Sequence, residues 1–298
     1  MERVASKEEA RQALHAARRE GKRIGLVPTM GALHEGHLTL VRASCKRADY
    51  TAVSIFVNPT QFGEGEDFEA YPRDLERDLS LLAAEGVDLV FTPSAAVMYG
   101  HDARVTVDPG PLGSVWEGAS RPGHFRGVCT IVAKLLNVIG PDLLFMGEKD
   151  YQQLKVVECM VRDLDFPTAV VGVPTVRERD GLAMSSRNAY LSPQEREQAV
   201  ALCEALETAA QAVAWGERDV VRLERLMAEE LAARPLASVD YVAVVDADTL
   251  ERLDVVGASA RAIVAAQVGS TRLIDNAPLA APASSEPEGT ARPVDSCS

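Results

Sequence analysis

The feature that constrains this chain most is a series of short, apolar, β-rich runs separated by amphipathic stretches of helical period. The runs are Ile24–Val27, Ala52–Val57 (AVSIFV), Val87–Phe91 (VDLVF), Asp142–Phe145 and Ala169–Val173. A continuous run such as AVSIFV, with no polar alternation, is the mark of a strand buried on both faces. Ser6 and Glu9 stand at capping-box spacing and open a first helix. A helix runs through roughly Lys46, and Pro72 starts another, DLERDLSLLAAEG, that stops at Gly86. Val128–Ile139 reads as a buried helix and Tyr151–Asp163 as another. This β-α-β-α order predicts an α/β fold, a parallel sheet with helices on both faces. Ligands in such sheets sit at the carboxyl ends of the strands.

The pattern changes near residue 175. Ser192-Pro193-Gln194-Glu195 is a capping box with proline at the first helical position, and it opens a long Ala-rich helix to about Trp215. A second helix spans roughly Asp219–Ala233, and two β-rich runs follow, VDYVAVVDADTL and ARAIVAAQVGSTRLID. The expected organisation is a nucleotide-type domain over 1–175, a smaller α+β C-terminal domain over 176–276, and a disordered tail over 277–298, rich in Pro, Ala and Ser. No internal repeat is visible.

Composition removes several functions. Lys+Arg is 31 and Asp+Glu 44, a net charge of −13, so the basic footprint of a nucleic-acid binder is missing. No apolar run approaches the roughly 20 residues of a membrane helix, and the charged N-terminus has no signal-peptide core. Cys45, Cys129, Cys159, Cys203 and Cys297 are widely spaced without a CxxC pair. This fits a reducing, cytoplasmic setting, with the first four as small buried hydrophobes.

Five segments carry chemistry. In VPTMGALHEGHLTLV an apolar strand gives way to a turn, and His34 and His37 share one face of the first turn of a helix. A helix N-terminus offers free N–H groups and the positive end of its dipole, a seat for phosphate. Gly36 removes a side chain where a nucleotide could approach. The alternatives are a polar surface turn, or a metal site, for which no third ligand stands at a telling spacing. In FVNPTQFGEGEDFEAYPRD, Asn58 and Gln61 are neutral amides suited to hydroxyl, carboxylate and amine groups, although Asn-Pro alone is turn chemistry. EGASRPGHFRGV (Glu117–Val128) places Arg121, His124 and Arg126 among glycines, as an anion-gripping lid or equally as a solvated loop. FMGEKDYQQL puts Lys149 at a strand end with Asp150 and Gln153 behind it, Asp150 serving equally well as an N-cap. RDGLAMSSRNAYLS gathers Ser185, Ser186 and Arg187 as a triphosphate clamp.

In combination and order, PTMGALHEGH, FVNPTQF, RPGHFRG, GEKDYQQL, AMSSRN and the closing GSTRLIDN resemble the pantoate–β-alanine ligase family over about Val4 to Asn276. His-x-Gly-His alone would indicate only the wider nucleotidyltransferase superfamily. The resemblance implies a Rossmann-like parallel sheet with helices on both faces plus a smaller α+β C-terminal domain, and a homodimer. It implies ATP-dependent condensation of pantoate with β-alanine, with Mg²⁺, giving pantothenate, AMP and pyrophosphate through a pantoyl-adenylate. It places Met30, Gly31, His34, His37, Gly147, Glu148, Lys149, Asp150, Val176, Met184, Ser185, Ser186 and Arg187 at ATP. It places Gln61, Gln153 and Asn58 at pantoate and β-alanine. His37, as the acid, with His34, Lys149 and Arg187, forms the catalytic set, and the metal ligands stay open. Other His-x-Gly-His transferases lack the NPTQF and MSSRN context, the intact histidines and Lys149 speak against an inactive scaffold, and the acidic charge against an RNA-binding relative.

The residues suit that chemistry. A carboxylate attacking the ATP α-phosphorus meets like charge, so the phosphoryl group and leaving pyrophosphate need donors around them. A mixed anhydride hydrolyses readily, which gives a water-excluding lid a purpose. Imidazole, titrating near about 6.5 when unperturbed, suits proton donation. The expectation is a locally positive cleft within an acidic shell.

Overall fold

The computed structural model describes residues 1–279. Six strands form one wholly parallel sheet: β1 (Glu2–Val4), β2 (Ile24–Thr29), β3 (Tyr50–Ile55), β4 (Leu89–Phe91), β5 (Leu143–Gly147) and β6 (Ala169–Val173). Their order is β1-β4-β3-β2-β5-β6. A second sheet is antiparallel, in the order β7 (Ala237–Asp246), β8 (Ala260–Val268), β9 (Thr271–Pro278). The helices are α1 (Lys7–Arg19), α2 (Glu35–Arg47), α3 (Leu75–Ala84), α4 (Ala95–Tyr99), α5 (Glu117–Ser120), α6 (His124–Ile139), α7 (Tyr151–Asp163), α8 (Pro193–Ala199), α9 (Ala201–Ala214) and α10 (Val220–Ala232).

The parallel sheet turns back at β2. From β2 the chain runs outward through β3, then returns to the other flank as β5. The carboxyl ends of β2 and β5 therefore lie side by side where connections leave in opposite directions, and a crevice opens there. Continuous apolar strands follow from this position: Leu26, Val27, Ala52, Val53, Leu143 and Leu144 are all buried. Helix α6 is buried along most of its length, leaving only a narrow polar stripe through Arg126, Lys134 and Asn137. A second apolar core joins α9 and α10 to β8 and β9, with Leu202, Leu206, Leu223 and Val264 at its centre. Each fully buried leucine there contributes on the order of 2 kcal/mol.

Several expectations need correction. Helix α3 starts at Leu75 rather than Pro72, because the Asp74 carboxylate accepts the Arg77 N–H at 3.1 Å and caps the helix there. The long Ala-rich helix is two, α8 and α9, meeting at Val200. The run ARAIVAAQVGSTRLID is a hairpin of two strands, turned at Gly269 with φ +58. Strand β1, too short to show a period, was not expected; it pairs with β4 at the sheet edge. Residues 117–128 are not a loop but α5 and the first turns of α6. Strand β9 continues to Pro278, and Leu279 is 1% exposed in the second core, so 277–279 are structured and the rest of the expected tail lies outside the described residues.

Among the described residues no helix is long and apolar enough to cross a membrane. Cys129 and Cys203 are buried free thiols as expected, Cys159 is only partly buried and Cys45 is exposed; Cys297 lies outside the described residues.

Candidate active site

The turn after β2 is built by backbone bonds. Gly31 and Ala32 both take positive φ, +82 and +51. Thr29 Oγ1 donates to the Ser54 carbonyl at 2.8 Å and accepts the Gly31 N–H at 3.2 Å. Beneath the turn lies Asp78 of α3, 1% exposed, whose carboxylate accepts the N–H groups of Ala32 (2.9 Å) and Leu33 (2.8 Å). Burial raises the Asp78 pKa above the ordinary carboxylate value, although those two bonds oppose the rise. No spacing in the sequence marks Asp78; only the packing of α3 under the turn brings it there.

The turn delivers His34 as the N-cap of α2 and His37 as its third residue. His34 Nδ1 accepts from the Gly36 N–H at 3.2 Å, and His37 Nδ1 accepts from the His34 N–H at 3.4 Å. This is a capping box made with imidazoles instead of hydroxyl and carboxylate. Since both Nδ1 atoms accept, each Nε2 carries the proton and donates outward. A Cβ on Gly36 would lie 2.9 Å from the His34 ring, so glycine here makes room for that ring as well as for any ligand. Burial, then the Lys149 charge, lowers the His34 pKa to about 4; burial, then His34, lowers His37 to about 3. Both shifts favour the neutral rings, each with an Nε2–H to donate.

The Asn58 amide is engaged by protein. Its Oδ1 accepts from Tyr99 Oη (2.6 Å) and Thr60 Oγ1 (2.9 Å), and its Nδ2 donates to Gln61 Oε1 (3.1 Å) and the Gly127 carbonyl (3.3 Å). Gln61 is held from behind as well: its carbonyl accepts from His124 Nδ1 at 2.8 Å and Arg121 Nη2 at 3.3 Å. Arg121 Nη1 lies 3.2 Å from His124 Nε2; a carbonyl only accepts and a guanidinium only donates, so His124 is the neutral tautomer with its proton on Nδ1. Burial, then the Arg121 charge, lowers its pKa to about 4.

The guanidinium groups are paired with carboxylates. Arg121 forks onto Glu66 with both contacts at 2.7 Å and reaches Glu117 at 3.3 Å. Arg187 forks onto Asp67 at 2.9 and 2.8 Å. Tyr71 Oη and Ser186 Oγ lie 3.1 Å apart. The Phe62–Asp74 segment is therefore tied to the site at Glu66, Asp67 and Tyr71. In Glu117–Val128, read as an anion-gripping lid or equally as a solvated loop, Arg121 and His124 are anchored while Arg126 is exposed, and the cations of the expected positive cleft stand beside acids.

A cavity of about 230 Å³ is bordered by His34, His37, Gln61, Lys149, Gln153 and Arg187. Met30, Asn58, Gly147, Asp150, Val176, Met184, Ser185 and Ser186 also face it. Lys149 Nζ stands 3.4 Å from Asp150 Oδ1, and the Asp150 side chain makes no helix-capping bond. The Met184 N–H donates to the Val176 carbonyl at 2.9 Å and brings those two segments together. Two expected residues are not on this wall. Gly31 is buried against Asp78, and Glu148 faces Arg261 at 3.4 Å. A second cavity of about 430 Å³ shares Lys149, Asp150 and Arg187 and continues to β9.

A Rossmann-like parallel sheet with a donor-rich cavity at the carboxyl ends of β2 and β5 defines an α/β protein built to hold an anionic ligand. The model of the pantoate–β-alanine ligase family matches residues 2–278. This chain belongs to that family. A pantothenate synthetase from Rubrobacter xylanophilus is 58% identical over 282 residues, covering 92% of this chain and 97% of the relative. A pantothenate synthetase structure from Thermus thermophilus superposes with a TM-score of 0.90 at 48% identity, covering 94% of this chain and all of the other. A pantoate–β-alanine ligase from Francisella tularensis, crystallised with β,γ-ATP and β-alanine, gives 0.77 at 33% identity, covering 94% and 98%.

Proposed function

We propose that this chain condenses pantoate with β-alanine at the expense of ATP, giving pantothenate, AMP and pyrophosphate. One observation carries the reading: two imidazoles at the N-terminus of α2 line one cavity together with Lys149 and Arg187. A pantoate carboxylate oxygen attacks the α-phosphorus, the bond to the pyrophosphate oxygen breaks, and a pantoyl-adenylate forms. The β-alanine amine then attacks the acyl carbon, AMP leaves with the bridging oxygen, and the amine gives up a proton. His34 and His37 donate Nε2–H to phosphate oxygens, and Lys149 and Arg187 neutralise developing charge. Arriving phosphate takes the place of Asp67 on Arg187. Gln61 and Gln153 bind pantoate and β-alanine, with Asn58 acting behind Gln61. Gly31 shapes the turn, and Glu148 acts through its main chain.

Mg²⁺ is part of this reading. Among the described residues no cluster of three His, Cys, Asp or Glu could enclose a metal. The cavity does offer Asp150, whose pKa burial raises but Lys149 and then Arg187 bring below the ordinary range. One ionised carboxylate with phosphate oxygens and water suits Mg²⁺, which when bound draws charge from the phosphates.

The reading also comprises a domain boundary near residue 175, supported by the separate core of α9, α10, β8 and β9. It comprises a homodimer, supported by the edge position of β6, and a cytoplasmic location, supported by the free thiols.

The deciding experiment is ATP–pyrophosphate exchange with pantoate and Mg²⁺ and without β-alanine. Exchange that requires pantoate is expected; its absence, with pantothenate still formed when β-alanine is added, overturns the adenylate.

A further inference from the structure

The closing motif GSTRLIDN has no part in the chemistry above, yet its last two residues hold both segments that would carry the nucleotide. Asp275 and Asn276, at the end of β9, are 2% and 5% exposed. Asp275 receives a fork from Arg177 at 2.7 and 3.1 Å. Arg177 pairs with Ala183 across the short ladder that leads to Met184, Ser185 and Arg187. Asn276 Nδ2 donates to the carbonyls of Glu148 (3.0 Å) and Lys149 (2.9 Å) in the turn between β5 and α7. Asn276 Oδ1 accepts from Arg261 Nη1.

This amide can sit only one way, between two carbonyls that must accept and a guanidinium that must donate. Arg261 is itself fixed, 9% exposed, with its guanidinium carbon 3.6 Å from the centre of the Tyr151 ring. Both Nδ2 hydrogens are thus spent on protein, and the amide oxygen is turned to Arg261.

We propose, resting on the ATP-binding reading above, that Asn276 is a positioning residue for Lys149. It holds the carbonyls of Glu148 and Lys149, and so sets where the Lys149 ammonium meets the ATP phosphates. The C-terminal sheet thereby acts on nucleotide binding from behind the site, without touching the reacting atoms.

The test is Asn276→Asp in the full chain. The substitution preserves size and the oxygen facing Arg261, but sets a carboxylate oxygen against two carbonyls. The ATP KM rises about tenfold or more, the scale of leaving buried polar groups unmatched. The β-alanine KM stays within about twofold, because Gln61 lies on another element, in the turn after β3. Asn276→Ser, which removes the two donors without adding charge, raises the ATP KM in the same direction and decides the matter if the Asp variant does not fold. Calorimetric titration with a non-hydrolysable ATP analogue follows the same loss. An unchanged ATP KM in a folded variant, or an equal rise for all three substrates, overturns the positioning role. A wild type that forms no pantothenate overturns the functional reading instead, and the analogue titration alone then decides whether Asn276 governs nucleotide binding.

Discussion

The imidazoles of His34 and His37 lie with ring centroids 4.1 Å apart, tilted by 40°, and each accepts a backbone N–H within the same turn. One arrangement does two things. It caps α2, and it aims two Nε2–H donors at the cavity with both rings neutral.

His37→Ala removes one of those donors and leaves the His34 N–H to solvent at the helix end. Losing one charge-stabilising contact in a transition state costs about 3–4 kcal/mol, so kcat falls by about two to three orders of magnitude. The far-ultraviolet circular dichroism spectrum stays that of the wild type. Steady-state pantothenate formation checks this, and near-normal turnover would remove His37 from the mechanism.

Stability is acid-sensitive. Burial, and beside it the neighbouring cations, lowers the pKa values of His34, His37 and His124 to about 4, 3 and 4, from an unfolded value of 6.5. Between those limits the unfolded chain binds more protons than the folded one, so stability grows with pH. The contribution is complete above pH about 6.5 and is lost as pH falls toward about 4. Thermal unfolding from pH 8 to 5 should show the melting temperature falling below pH about 6.5, with a shallower fall in His124→Gln. A flat profile would show that the rings are not held neutral.

Asp78→Ala orphans the N–H groups of Ala32 and Leu33 under a turn with two positive φ values. The loss is at least about 2 kcal/mol, since buried donors left unpaired carry their full desolvation cost. Urea unfolding measures it. The turn also places His34, so turnover drops in the folded fraction; a variant with wild-type stability would mean the turn is held by something else.

Gly127→Ala separates local preference from tertiary contact. In an isolated helix alanine is favoured over glycine by about 1 kcal/mol. Here a Cβ would lie 2.2 Å from the Thr60 carbonyl oxygen and 2.7 Å from the Gln61 nitrogen, and backbone cannot swing aside as a side chain can. The expected outcome is destabilisation by about 1–3 kcal/mol with a raised pantoate KM, because Gln61 is displaced. Denaturant midpoints and substrate titrations check both; a stabilised protein would show that α6 does not press on the Asn58–Gln61 turn.

Local order was legible where local bonds decide it. Helix α7 and strand β6 run over the residues expected, Tyr151–Asp163 and Ala169–Val173, and the capping boxes at Ser6 and Ser192 are both formed. The break at Val200 was not legible, since every residue around it favours helix. Neither was the helical state of Glu117–Ser120, which, beside the glycines and charges that follow it, reads as loop until Glu117 and Arg121 find Arg272 and Glu66.

Apolar period and helix caps act over a few residues, so the β-α-β-α order, the parallel sheet and the strand ends at which the cavity opens could all be read along the chain. The motifs that mark the family could be read there too. What the polar groups do was settled by packing. Asn58, His124 and Arg121 read as ligand groups yet bond to neighbouring side chains, backbone and carboxylates, while Asp78, which no motif marks, and Asn276, whose motif names no partner, hold the turns that carry His34 and Lys149. The physical reason is range: a helix or strand forms from neighbours in sequence, whereas a buried polar group is satisfied by whichever partner the packing brings, here 45 residues away for Asp78 and Leu33 and 127 for Asn276 and Lys149.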